Sequence, residues 1–284
     1  PTLFTAWMPW FLPRGVRLGE HIVVHELVHQ YFQGMVASNE VEHPWLDEGV
    51  TSYVTGLIMD ELHGPDRTIV DLAGVRWGTL DKERLRVAGR QSWPVAWPAR
   101  QYPSWGTYGR TVYARAYLLL RTVESLIGRA RMIAVLRGYV RRFSFKHPGA
   151  TDLQQALVAG APVHLQPTVR GLLKTALHEK GEARWEVRCE ADRVVVHRRG
   201  VVRLPLVVTT VAKSGATRQL RWTGDEASIT LPSPGLASAR LGPPGRLGLA
   251  SAPASHACSV GGDAEGASLR LAAAFQIVLQ VLGP

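Results

Sequence analysis

His25-Glu26-Leu27-Val28-His29 decides how this chain is read, together with Trp45-Leu46-Asp47-Glu48-Gly49. Two histidines four apart on a helix project from one face, because four residues make slightly more than one turn. Two neutral imidazoles so placed grip a single zinc ion, and one carboxylate from a second helix completes a three-ligand site with its fourth position open. Glu48, nineteen residues after His29, supplies that carboxylate. Glu26 points about 100° around the helix from His25. It therefore stays off the metal but near the open position, where a carboxylate serves as general base. The expected constellation is one zinc ion on His25, His29 and Glu48, with Glu26 as the base.

The bland alternative is a pair of polar residues on a surface helix. The flanks Ile22, Val23, Val24, Leu27, Val28, Tyr31 and Phe32 cover nearly the whole circumference, and a helix apolar all round is a buried one. Buried histidines and a buried glutamate need partners or a metal. The Trp45–Gly49 stretch offers one.

His25-Glu26-x-x-His29, eighteen intervening residues and Glu48 resemble the gluzincin signature of the M1 peptidases, the membrane-alanyl-aminopeptidase type. Val112-Tyr113-Ala114-Arg115-Ala116 resembles that family's Tyr-x-Lys-Gly segment, and Tyr113 follows Glu48 by 65 residues, as is typical of the family. Arg131 to Phe145 and Thr151-Asp152-Leu153 resemble its next helix pair. The resemblance covers residues 1 to about 160 well and the rest loosely. It implies a thermolysin-like catalytic domain, with Tyr113 donating a phenolic hydrogen bond to the oxyanion. Arg115 and Ala116 stand where the family has Lys and Gly, so no role passes to them. Many members also carry an acid seven positions after the glutamate ligand, supporting a zinc histidine. Here that position is Thr55, so either another group substitutes or the site is weaker. The family's amine-binding Gly-x-Met-Glu-type motif precedes such a stretch, which implies a fragment without the N-terminal β domain.

Composition bounds the rest. The chain has 284 residues, 46% apolar and 20% charged, as expected of a soluble globular protein with room for two domains. The net charge is +10, with 28 Arg against 5 Lys. The charges are spread along the chain without a zinc finger, an RNP-like motif or a dense basic block, which argues against nucleic acid as a partner. Cys189 and Cys258 form no Cys-x-x-Cys pair. They read as a core thiol and a free tail thiol. No signal-peptide pattern opens the chain, so the N-terminus gives no compartment.

Periodicity gives a coarse map. Residues 1–17 are apolar and interrupted by Pro9 and Pro13. Helix one is expected from about Gly19 to Gln33, with Gly34 as its C-cap. Residues 35–43 read as a solvated loop with Glu40, Glu42 and His43. Helix two is expected from Pro44 to about Leu62, with Val50, Tyr53, Val54, Leu57 and Ile58 facing the core. Residues 66–88 read as one or two helices with exposed Asp81, Lys82, Glu83 and Arg84. Residues 89–105, with Trp93-Pro94, Trp97-Pro98, Tyr102-Pro103 and Trp105, form an aromatic loop, either a packed surface loop or a wall of the substrate cleft. Helix three, about Thr107 to Ile127, carries Tyr113, and further helices are expected at 129–143, 151–159 and 166–179.

The texture changes at Gly181. Arg184 to Glu190 alternates strictly, and Val194 to Val196, Val201 to Val211, Arg218 to Trp222 and Ser228 to Leu231 continue in short strands. The expected fold class is α+β: residues 1–180 a helical catalytic domain, 181–250 a small antiparallel β-sandwich. Residues 251–268 read as a flexible linker. Leu269 to Leu282 is apolar but too short to span a bilayer, and reads as a helix docked on the body or resting at a membrane surface.

The functional expectation is a zinc metallopeptidase, an aminopeptidase by resemblance, acting on peptides. Endopeptidase action, or another hydrolysis at the same zinc site, is the first alternative. A non-catalytic interaction module that kept the fold is the second. Oligomeric state is not written in the sequence.

Overall fold

A computed structural model describes residues 11–180, 183–242, 249 and 256–260. The chain divides into two compact units, Pro1–Val87 with Gln91–Lys180, and Ala88–Arg90 with Gly181–Pro284. Helices dominate the first and antiparallel strands the second.

In the helical unit, α1 spans Leu18–Val28 and α2 Val50–His63, and the two pack together. Helix α1 stops five residues short of expectation. His29 is its C-cap, still right-handed at φ −59° and ψ −18°, so the four-residue spacing from His25 keeps both rings on one face. The chain then turns through Gln33 at φ +101°. The all-round burial expected of α1 is not observed. Val24 and Val28 are buried, whereas Val23, Leu27 and Tyr31 lie on an exposed face.

Trp45–Gly49 forms a wide, π-type turn that runs straight into α2. Helix α2 ends at Gly64, whose φ of +83° a side chain would resist. Its buried face differs from the expected one. Val50, Tyr53, Gly56 and Met59 are inside with Thr51, Ser52, Thr55 and Asp60, while Val54, Leu57 and Ile58 are only half-buried. Two of the polar groups inside are paired there. Asp60 pairs with Arg121 at 3.0 Å and Arg129 at 3.2 Å, and Tyr53 donates to Glu124 at 3.0 Å.

Residues 66–88 are a correction. They hold a hairpin, β1 Val70–Leu72 and β2 Val75–Trp77, followed by one helix, α3 Thr79–Val87. The hairpin turns on Ala73 and Gly74, at φ +50° and +81°, the signs that a type I′ two-residue turn requires at both positions. Ala73 concealed that signal. The expected exposure of Glu83 also fails. It is 4% exposed, paired with Lys82 at 2.8 Å and Arg86 at 3.0 Å. Lys82 in turn lies 3.0 Å from His21 Nε2, one turn before His25. Burial holds His21 well below the usual imidazole range, with the Lys82 charge adding to the effect, so the ring accepts the bond as a neutral group.

The helical unit continues with α4 Trp105–Tyr108, a second π-type stretch Gly109–Arg115, α5 Ala116–Ile127, α6 Arg129–Phe143, α7 Ala150–Gly160 and α8 Gln166–His178. Most of α5 is buried, from Ala116 through Leu120 without interruption.

The described residues of the second unit form two antiparallel sheets. One is ordered β3-β4-β7, from Trp185–Glu190, Arg193–Arg198 and Ser228–Pro232. The other is ordered β6-β5-β8-β9, from Thr217–Trp222, Leu206–Ala212, Leu236–Gly242 and Ala257–Ser259. Trp185, Val187, Val194 and Val196 turn inward from the first sheet, and Leu206, Val208, Trp222 and Leu241 from the second. Strands β8 and β9 were not foreseen. Strand β9 falls inside the expected linker, and its Cys258 forms a disulfide with Cys189 of β3. The reading of two free thiols is thereby overturned. Among the described residues no helix is long and apolar enough to cross a membrane. The apolar segment Leu269 to Leu282 lies outside the described residues, as do Trp7, Pro9 and Trp10.

Glu83 ties the stability of the helical unit to pH. Burial opposes its ionisation, but Lys82 and Arg86 outweigh burial and bring its pKa from 4.5 to about 2. A depressed carboxylate stabilises the folded state fully above its unfolded pKa and loses that effect as pH falls toward the folded one. Glu83→Gln should cost about 3–5 kcal/mol near neutrality, as removing one partner of a buried pair does. In urea unfolding at several pH values, the gap between the two proteins should close between pH 4.5 and about 2. A gap that stays constant over that range would show that the charge of Glu83 is not what stabilises the fold.

Candidate metal centre

Glu48 sits inside the π-type turn Trp45–Gly49, and Tyr113 inside the π-type stretch Gly109–Arg115. Such turns fit one extra residue into a helix and are common at functional sites. The two stretches pack directly on one another. Gly49 makes this possible: a Cβ there would lie 2.5 Å from the Ala116 Cβ and 3.0 Å from the Val112 carbonyl oxygen. Ala116, fully buried at that contact, keeps the approach close from the other side.

This closeness brings Glu48 over α1. Its Oε2 lies 3.1 Å from His25 Nε2 and 3.3 Å from His29 Nε2. Among the described residues, His25, His29 and Glu48 are the group of side chains able to hold a metal, with ligand atoms within 4.8 Å of one another. A tetrahedral ion with ligands at ~2.1 Å separates neighbouring ligands by about 3.4 Å. The observed spacings match that geometry, and two imidazoles with one carboxylate are a donor set that zinc takes.

The His29 ring is held from behind. His29 Nδ1 lies 2.8 Å from Asp47 Oδ1, 3.2 Å from the Phe32 carbonyl and 3.3 Å from Thr51 Oγ1. Three acceptors around Nδ1 keep the proton there and leave Nε2 facing Glu48. Asp47 and Thr51 were not singled out from the sequence. Asp47 directly precedes the glutamate, and its signal was hidden by the turn that swings it behind His29. Thr55, the position where an acid was expected, is fully buried. The supporting carboxylate beside His29 comes from Asp47 instead.

The electrostatics are those of a tightly coupled cluster. Burial opposes charge on His29, yet Asp47 and Glu48 outweigh it and raise its pKa to about 10. Burial likewise opposes charge on Glu48, but bonds from His25, His29 and Tyr113 bring it to about 2. The Tyr113 phenol donates to Glu48, and burial with that carboxylate's charge lifts its pKa far above the usual tyrosine range. Tyr113 thus keeps its proton at any physiological pH. Its ring stacks 5.9 Å from that of His25, at 22°. Glu26 is half-buried on α1, one residue beyond His25. In the loop before the site, Glu42 pairs with Arg100, and Glu40 accepts from Gln33 at 3.2 Å.

The model of the Peptidase family M1 domain matches residues 15–171. Aminopeptidase B of Mus musculus is 26% identical over 142 residues, 49% of this chain and 22% of that protein. Aminopeptidase M1 of Arabidopsis thaliana is 28% identical over 145 residues, 49% of this chain and 16% of that protein. The chain therefore spans about a fifth of the length of the curated relatives it matches. A crystal structure of Legionella pneumophila aminopeptidase A in complex with aspartic acid superimposes with a TM-score of 0.55 over 82% of this chain and 26% of the other, at 18% identity. That likeness is one of fold.

Asp47→Ala should weaken zinc binding by about 10–100-fold, the usual effect of removing a partner that orients a ligand. Chelator competition would measure it, with helical circular dichroism confirming an intact fold. An unchanged affinity would mean that the Phe32 carbonyl and Thr51 orient His29 without Asp47.

Proposed function

The chain belongs to peptidase family M1, and we propose that it works as a zinc-dependent aminopeptidase, hydrolysing the first bond of a peptide. The convergence of His25, His29 and Glu48 carries the reading. We take these three as the ligands of one zinc ion, Glu26 as the general base and Tyr113 as the oxyanion donor. The helical unit is then a thermolysin-like catalytic domain, a reading supported by the side-by-side packing of the His-Glu-x-x-His helix and α2. The exopeptidase part draws on the relatives, which are aminopeptidases by name.

Zinc, when bound, polarises the scissile carbonyl and makes water acidic enough to attack it near neutral pH. The remaining work belongs to the chain. Glu26 takes the proton of the attacking water and returns it to the leaving amine, so that bond breaking releases a neutral amine. Tyr113, protonated throughout, turns its O–H from Glu48 to the oxygen on which negative charge develops. Asp47 and Thr51 keep the proton of His29 on the nitrogen that faces away from the metal.

Two substitutions test the assignment. Glu26→Gln preserves size but cannot accept a proton, so it should retain zinc and lose turnover by about 10²–10⁴-fold. Near-normal turnover by the zinc-loaded variant would remove Glu26 from the role. Tyr113→Phe should lower kcat at unchanged zinc content, with a cost of roughly 2.7–4 kcal/mol for one oxyanion donor. An unchanged rate would return Tyr113 to the core. Running the zinc-loaded wild type on free and N-acetylated peptides tests the exopeptidase part. An aminopeptidase cleaves only the free-amine series.

A further inference from the structure

Charges that are spread along the sequence are gathered by the fold. Residues 129–178, which make α6, α7, α8 and their connections, hold eight Lys or Arg and one acid, Asp152. That acid is already engaged: its Oδ2 accepts from the Gly149 N–H at 2.9 Å at the start of α7. Helix α7 packs on α6 and on α8, and both of those pack on the buried α5. The three helices therefore form a layer around α5 whose outer side faces water. Arg131, Arg137, Arg141 and Arg142 are exposed on α6, and Arg170 and Lys174 on α8. The exposed residues of α7 between them are uncharged.

Nothing inside the layer balances this charge. Arg137 and Arg141 stand four apart, as do Arg170 and Lys174, a spacing at which like charges destabilise a helix. Arg131 lies in the first turn of α6, at the positive end of the helix dipole, where a cation is unfavourable. Its neighbour Arg129 is offset by Asp60 and Glu124, each at 3.2 Å. Among the described residues Arg131, Arg137, Arg141, Arg170 and Lys174 have no such partner. Two apolar side chains project from the connections. Phe145, after α6, and Val163, after α7, are each 82% exposed. A Cβ on Gly160 would lie 2.1 Å from Val135 Cγ2, so α7 ends beside the start of α6 and the two tips stand at opposite ends of the layer. Phe145 is held outward. Its φ is +59°, a region that a bulky side chain resists. Its N–H donates to the Met35 carbonyl at 2.6 Å, and the Lys146 carbonyl accepts from the Ala37 N–H at 3.2 Å.

We propose that the outer side of α6, α7 and α8 is a docking surface for an anionic lipid bilayer, with the arginines at the phosphate headgroups and Phe145 and Val163 entering the boundary below them. The guanidinium fork matches a phosphate with two parallel hydrogen bonds. Lipid phosphates supply the negative charge that the layer lacks and relieve the repulsion within α6 and α8. Apolar tips on a basic, otherwise polar face are the composition of an element that rests at a membrane surface. An acidic polypeptide would answer to the arginines but has no need of the two tips. The helices are already folded and packed, so binding orders little beyond the arginine side chains.

The test is co-sedimentation of the full chain with vesicles of phosphatidylcholine alone or with one-third phosphatidylglycerol. Wild type should bind only the phosphatidylglycerol vesicles, and less as salt rises. Replacing Arg131, Arg137 and Arg141 together by Gln should lower the partition coefficient by about 100-fold, roughly fivefold per charge. Melting temperature should not fall, since all three are exposed and unpaired. Replacing Lys213, Arg218 and Arg221 by Gln removes the same charge from exposed positions of the β unit and should leave binding as in wild type. Phe145→Gly should bind about tenfold less while folding at least as stably, because glycine takes that backbone conformation freely. Equal losses from the two triple variants would reduce the effect to net charge and overturn the proposal. Absence of binding to the phosphatidylglycerol vesicles, equal binding to phosphatidylcholine, or binding indifferent to salt would overturn it too. Retention on immobilised polyglutamate without sedimentation on either vesicle would replace the bilayer with an acidic polypeptide.

Discussion

The Glu48 carboxylate is the point on which the site depends. It reaches both His25 and His29, at 3.1 and 3.3 Å, and takes the Tyr113 phenolic hydrogen. One anion therefore holds together groups from α1, from the turn before α2 and from the stretch before α5. It can do so because Gly49 leaves no side chain between that turn and Ala116. A similar economy recurs about two turns on, where Gly56 of α2 makes room for the Tyr117 ring, 2.5 Å from where a Cβ would stand. The cluster is thus a product of backbone proximity first and of side-chain chemistry second.

Much of this was legible. A four-residue histidine spacing specifies a shared face with little reference to the rest of the fold, and the structure brings His25, His29 and the later Glu48 together. Most helices followed from periodicity, since long apolar stripes leave few alternatives. What was not legible has identifiable causes. The exposed face of α1 was missed because periodicity reports that a face is apolar, not that anything covers it. The buried face of α2 was misplaced because the wide turn before it rotates the frame from which helical faces are counted. Thr51, Thr55 and Asp60 then went inside where apolar residues were expected.

The misread of Glu83 has a similar origin. Asp81-Lys82-Glu83-Arg84 looks like a solvated run, and only the surroundings of α3 show that one of the four turns inward. There it is compensated by Lys82 and Arg86. Asp47 was passed over for the same reason: a carboxylate beside a ligand in sequence need not be beside it in space, and a turn decides which. Charged residues that support a site from behind carry no periodic signature of their own.

The Cys189–Cys258 bridge joins β3 of one sheet to β9 of the other across 69 residues of sequence. Strand β9 has only three residues paired with β8, too few to hold a strand in place alone. The bridge supplies what the ladder lacks, by shrinking the ensemble that the unfolded strands can explore, an effect worth about 4 kcal/mol for a loop of this order. The described part of the helical unit holds no cysteine. Thiol–disulfide exchange therefore acts on the two units unequally: a reductant loosens the clasp on the β unit, while no disulfide ties the described part of the helical unit, so the halves of one chain answer to different features of their surroundings.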